Sequence, residues 1–220
     1  MNWLTDNTEV INMIANVGMF LVWLIYAQLF YFSYSRQRHP TILINQVQGY
    51  GLKSTCMISN MSMEPVHLEC IIVQIARGDT TTDYNVVDQK PDPDHQSVND
   101  LQTLTHQGPL KPSGFTSLGT FDTMIRRALT EDDKMDTITQ DGDFEKILSE
   151  IESIEIRVIA DYGPESRPIG ALRRFMMQQK EIGETFIYPE KYYTRQVFGV
   201  RARYFTIPGW LEKCMPERLN

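Results

Sequence analysis

Apolar residues run uninterrupted by charge from Val10 to Tyr34, VINMIANVGMFLVWLIYAQLFYFSY, and then give way to short alternating segments. These twenty-five residues include no Asp, Glu, Lys, Arg or Pro. As a helix they reach about 37 Å, enough to cross a bilayer core of about 30 Å with some tilt. A buried helix of a globular domain carries a polar stripe, whereas here only Asn12, Asn16 and Gln28 are strongly polar. The pattern predicts a transmembrane helix over 10–34. Asn12, Asn16, Met19 and Trp23 share one face of it and are the candidates for contact with another membrane helix, because amides in hydrocarbon seek partners.

Downstream of Pro40 the period changes to two. Thr41 to Asn45 is β-branched and apolar, and a turn follows at Gly49-Tyr50-Gly51. Leu52–Asn60 and Val66–Ala76 read as a hairpin centred on Met63, which sets Asn60 opposite Val66, Ile58 opposite Leu68 and Cys56 opposite Cys70. Cys56, Ile58, Val66, Leu68 and Cys70 then form one apolar face, while Ser59, His67 and Glu69 point away. Residues 77–112 read as exposed connection, with a short edge strand around Tyr84, Val86 and Val87. Helical spacing recurs at Phe121, Met124, Ile125, Ala128 and Leu129, and again at Phe144, Ile147, Leu148 and Ile151. A second hairpin is expected from Ile154–Asp161 and Pro168–Met177. Strands are expected at 186–188 and from Gln196 to Ile207, the last stopped by Pro208-Gly209-Trp210.

The fold class that results is a single-pass transmembrane α-helix followed by a mostly antiparallel β domain with one or two short helices. By analogy it is an immunoglobulin-like sandwich, although the Cys and Trp framework of true immunoglobulin domains is missing. The expected divisions are a short external tail at 1–9, the anchor at 10–34, the β domain at 41–207 and a C-terminal tail at 208–220.

Charge adds an orientation. Asp6 and Glu9 precede the apolar run with no Lys or Arg, and Arg36, Arg38 and His39 follow it. Positive residues stay cytoplasmic, so the N-terminus is expected outside and the large domain inside the plasma (inner) membrane. Tyr31, Tyr34, Arg36 and Arg38 are the candidate membrane-interface residues. A cleaved signal peptide is not expected, because a basic n-region and a small-x-small site are lacking. On the cytoplasmic side Cys56, Cys70 and Cys214 are expected as free thiols, and the Asn60-Met61-Ser62 sequon as idle.

The net charge of −7 argues against a nucleic-acid partner. Acidic residues dominate from Asp79 to Glu155, and from Arg157 onward eleven Lys and Arg face seven Asp and Glu. Asp92, Asp94 and His95 sit on a Pro-broken loop without a second ligand cluster, so no metal is expected there. The acidic stretch before Phe144 puts Leu148 where a calcium loop needs a bidentate Glu. No nucleophile elbow, zinc-protease, Walker or dinucleotide motif is present. No enzyme activity, catalytic residue or cofactor is therefore expected. Paired arginines, Arg126 with Arg127 and Arg173 with Arg174, are the candidates for contact with anionic groups. The function expected is a membrane-anchored interaction or scaffold subunit presenting its β domain to a protein partner. The alternatives are a homo-oligomeric channel or sensor component assembled through the helix, and a membrane-surface enzyme.

Overall fold

The computed structural model describes residues 7–37, 39–86, 107–131, 141–163, 168–179, 185–197, 199 and 202–214. The chain divides into two compact units, Met1–His39 and Pro40–Asn220. The described residues of the first are mostly helix α1 (Thr8–Gln37), whose side chains from Thr8 to Tyr34 are all exposed. Its apolar part, Thr8–Ser35, is long and apolar enough to cross a membrane.

The second unit holds two antiparallel sheets that share one core. The smaller has strands β1 (Ile42–Val47), β2 (Thr55–Asn60) and β6 (Phe115–Thr120), in the order β1-β2-β6. The larger has the order β10-β8-β7-β3-β4, with β5 (Gly108–Leu110) on β3 and β9 (Thr185–Pro189) on β8. Its long strands are β3 (Val66–Arg77), β7 (Ile151–Tyr162) and β8 (Ile169–Gln179); β4 (Thr80–Asn85) and β10 (Arg195–Val197) lie at the edges. The likeness to an immunoglobulin domain goes no further than antiparallel sheets around a common core.

Helices α2 (Phe121–Glu131) and α3 (Asp141–Glu150) occur where the spacing predicts them, except that Ile151, the last residue of the second stripe, opens β7. Thr120 caps α2 by accepting the Thr123 N–H at 3.2 Å. Phe121, Met124, Ile125, Ala128 and Leu129 join the core, and Phe121 meets Phe175 edge to face at 5.0 Å. The hairpin of β7 and β8 also forms, with Ser153 opposite Met176 and Ala160 opposite Ile169.

The first predicted hairpin does not form. β2 pairs with β1 and β6, whereas β3 pairs with β4, β5 and β7. Both edges of β2 are occupied, and residues 61–65 carry the chain across from one sheet to the other. The alternation was nevertheless informative, because both sheets face the same core. Cys56, Ile58, Val66 and Leu68 are all buried in it. A bulge at Glu69 then changes the phase of β3, since Leu68 opposes Ala160 and Cys70 opposes Ile159. Beyond it Ile71, Val73 and Ile75 point into the main core, while Cys70 and Ile72 join a second cluster with Ile159, Val197, Ile207 and Trp210.

Three further expectations are corrected. The short edge strand expected around Tyr84 forms, but it starts earlier, at Thr80, and runs to Asn85 as a hairpin with β3, so this part of 77–112 is not exposed connection. Among the described residues of the last predicted strand, Gln196 to Ile207, only Gln196 and Val197 are extended, as the end of β10. Ala202–Thr206 is a π-helical turn leading into α4 (Ile207–Cys214), so the supposed tail begins with a packed helix. Pro208 does not stop this element because it sits in the first helical turn, where its missing N–H has no partner to lose. Finally, Cys70 and Cys214 are not free thiols but a disulfide; Cys56 is free and buried.

Candidate interaction site

β1 forms the open edge of the smaller sheet, yet side chains from the last strand region close it. The Gln196 amide accepts the Ile42 N–H at 3.1 Å and donates to the Ile42 carbonyl at 2.6 Å. The Thr194 hydroxyl accepts the Ile44 N–H at 3.0 Å and donates to its carbonyl at 3.2 Å. Arg173 also donates to the Ile44 carbonyl at 2.6 Å, and to the Lys191 and Tyr192 carbonyls at 3.3 and 3.4 Å. These groups do for the edge what another strand would do. They also fix the path of residues 190–194, which carry the exposed Tyr192 and Tyr193.

On the outer face of the larger sheet, register sets Asp83, Gln74, Glu155 and Arg174 in one row across four strands. Glu155 is buried and accepts from Arg157 at 2.7 Å and from Arg174 at 3.0 and 2.8 Å. Arg157 also donates to Gln74, which donates in turn to Asp83. Two guanidinium groups share the Glu155 carboxylate and Asp83 balances the second, so the surplus positive charge lies beside the row, where Arg173, Arg174, Lys191 and Arg195 outnumber Glu155 and Glu190. Beside it lies a groove of about 170 Å³ lined by Leu172, Arg174, Glu190, Lys191, Tyr193 and Arg195, with Glu155 and Arg173 at its floor. Exposed Tyr188 and Tyr192 belong to the same stretch of chain.

Helix α4 covers the apolar end of that face. Trp210 packs over Gly170, and the Arg157 guanidinium lies 5.5 Å from the indole. Lys213 pairs with Asp83, the Asn85 amide donates to the Cys214 carbonyl at 3.1 Å, and the disulfide joins Cys214 to β3. Sequence reading missed this latch. Cys70 and Cys214 lie 144 residues apart with no spacing motif, and the Glu69 bulge that turns Cys70 outward has no composition signal.

The predicted arginines are divided. Arg126 pairs with Asp122 at 3.0 Å, lies 3.7 Å from the Phe144 ring centre, and lines a separate cavity of about 450 Å³ between α2 and α3. Arg127 is half-buried on α2 and lines neither cavity. Arg173 is buried on backbone carbonyls, so of the second pair only Arg174 offers charge to the surface. Tyr31, Tyr34, Asn12, Asn16, Met19 and Trp23 are exposed on α1; the Arg36 side chain and all of Arg38 lie outside the described residues. So do Asp92, Asp94 and His95, and among the described residues no group of three or more His, Cys, Asp and Glu could hold a metal.

Burial pushes the Cys56 thiol up, opposed by the Arg173 charge. Its side chain is buried in the core.

No family model, curated protein or solved structure matches the chain.

Proposed function

We propose that the chain is a membrane-anchored, non-enzymatic interaction subunit. In this reading α1 holds it in the bilayer and the groove beside Arg174 receives a partner protein. One observation carries the reading. A ledge fixed by Arg173 and Thr194 presents Tyr192 and Tyr193 next to Arg174, Lys191 and Arg195. Rigid aromatic side chains beside exposed guanidinium groups are the residue types that dominate protein recognition. The surplus positive charge favours an acidic segment of the partner.

In the orientation that Arg36 and Arg38 support, the β domain is cytoplasmic and the N-terminus is outside. The Cys70–Cys214 disulfide favours a second reading, in which the domain occupies an oxidising compartment. Protease added to sealed cells separates the two: an intact domain supports the first, a digested one the second.

Partner binding is tested by a photo-crosslinking residue at Tyr193 in native membranes, with Ser149 on α3 as the reference site. A discrete protein adduct at Tyr193, lost when Arg174→Glu and Arg195→Glu are introduced, supports the proposal. Equal background at both sites would overturn it.

A further inference from the structure

The loop that crosses between the sheets is fastened to the point where the chain enters the β domain. The Met61 N–H donates to the Thr41 carbonyl at 2.8 Å, the Thr41 N–H donates to Ser62 Oγ at 2.8 Å, and the Ser62 hydroxyl returns to the Thr41 carbonyl at 3.4 Å. Thr41 follows Gln37, the last residue of α1, by four positions. Four residues of fully extended chain span about 14 Å at most. The covalent chain therefore limits the loop's distance from the C-terminal end of α1, three residues past Tyr34, to about that length.

Asn60 makes this loop and its neighbour one rigid tip. Its side chain is fully buried and donates to the Glu64 and Leu110 carbonyls, each at 2.9 Å, while accepting the Ser62 N–H at 2.8 Å. Its backbone bonds to Gly114 and Ser113, across the turn that begins at Lys111. The tip presents Met61, Met63 and Phe115, each more than half exposed, with Lys111 beside them. Holding three large apolar side chains in water on a rigid tip is unfavourable unless something apolar receives them.

We infer that this tip is a second membrane contact. Met61, Met63 and Phe115 enter the boundary between headgroups and acyl chains, and Lys111 meets lipid phosphates. Glu64 on the same loop offsets Lys111, so apolar insertion dominates and added salt leaves the contact in place. The inference rests on α1 lying in a bilayer and holds whichever side the domain occupies.

The test uses the full chain reconstituted in phosphatidylcholine vesicles, with Met63→Cys carrying an environment-sensitive fluorophore. Native cysteines do not compete, since Cys56 is buried and the other two are bonded to each other. Tyr50→Cys is the reference; it is exposed and lies beyond the far end of β1, about 20 Å from Thr41 by strand rise. Emission from position 63 is expected to be blue-shifted and quenched several-fold more than that from position 50 by lipids spin-labelled near the headgroups. Met61→Ser with Phe115→Ser should bring it down to the reference level. Equal quenching at both sites, with the protein still resisting carbonate, would overturn the tip contact alone. Release by carbonate would overturn the anchor reading and the tip with it.

Discussion

Gly170 is where Trp210 of the C-terminal helix packs closely on the larger sheet, and Gly170→Ala tests whether that approach matters. A Cβ built there would lie 3.0 Å from Trp210 Cζ3, 3.3 Å from Val197 Cβ and 3.5 Å from the Val158 carbonyl. Carbon atoms prefer about 3.5–4.0 Å, so two of these contacts are short by several tenths of an ångström. Trp210 has little room to move, because four residues later Cys214 is fixed to β3. Overpacking of this kind costs about 1–3 kcal/mol. Replacing Gly with Ala recovers about 0.4–1 kcal/mol by restricting the unfolded chain. The net expectation is a loss of about 1–2 kcal/mol. Lifting the helix away instead would expose Ile207 and Trp210 at about 1.5–3 kcal/mol each, so the helix should stay docked and strained. Urea unfolding in detergent reads the stability, and hydrogen exchange over Ile207–Cys214 reads the docking. Stability within about 0.5 kcal/mol of wild type would refute the close approach, since surface substitutions stay in that range. Lost protection of the helix with the disulfide intact would refute the tether.

Arg173→Met removes the donors to the Ile44, Lys191 and Tyr192 carbonyls and is expected to lower stability by about 2–4 kcal/mol. Amide exchange should rise across 190–194, and unchanged exchange there would sink the ledge assignment. Cys56 has its pKa raised by burial above the ordinary 9.0, so its contribution is complete below that pH and declines above it as the unfolded thiol ionises. The decline is about 1.4 kcal/mol per pH unit, and urea midpoints taken up to pH 10.5 should show Cys56→Ala lacking that component. Cys214→Ser opens a link spanning 144 residues, which chain entropy values at up to ~5 kcal/mol and typical bridges at about 2–4 kcal/mol. Its unfolding midpoint should fall below wild type without reductant and match it with dithiothreitol; a gap that survives reduction would point to a packing role instead.

Facing was legible in the sequence and partnership was not, for a physical reason. Period-two alternation records which side of a strand meets apolar surroundings, so Cys56, Ile58, Val66 and Leu68 were assigned to a core they do occupy. Two strands on opposite sheets of one core carry the same alternation as two strands of one hairpin. Only the crossing loop distinguishes them, and its geometry depends on Asn60 reaching Leu110, fifty positions away. α2 and α3 were legible because each buries one stripe at helical spacing. α4 was not, because Pro208 and Gly209 read as a stop until its first turn is seen to begin at Ile207. The groove was half legible. Arg173 and Arg174 stand out as a pair, but their adjacency on a strand sends them to opposite faces, one to brace β1 and one to the surface.

The two surfaces proposed for contact differ in what they require of the rest of the protein. The groove depends on long-range placement: Arg173, Thr194 and Gln196 close the β1 edge and, with the Glu190 N–H on the Arg174 carbonyl, set Lys191 and Tyr193 beside Arg174. The tip depends on the bonds of Thr41 and one buried asparagine, so it keeps its shape even where the latch on the far face is loosened. The compartment acts on that latch alone. Reduction would take away the Cys70–Cys214 link but leave Trp210 on Gly170, Lys213 on Asp83 and Asn85 on the Cys214 carbonyl. Reduction would thus act first on the hold on α4, since none of the hydrogen bonds that set the tip involves Cys70 or Cys214. Within this arrangement the residues that set the tip are separate from those that respond to redox state. The orientation inferred from Arg36 and Arg38 and the chemistry inferred from the cysteines can therefore be tested without either outcome disturbing the other contact.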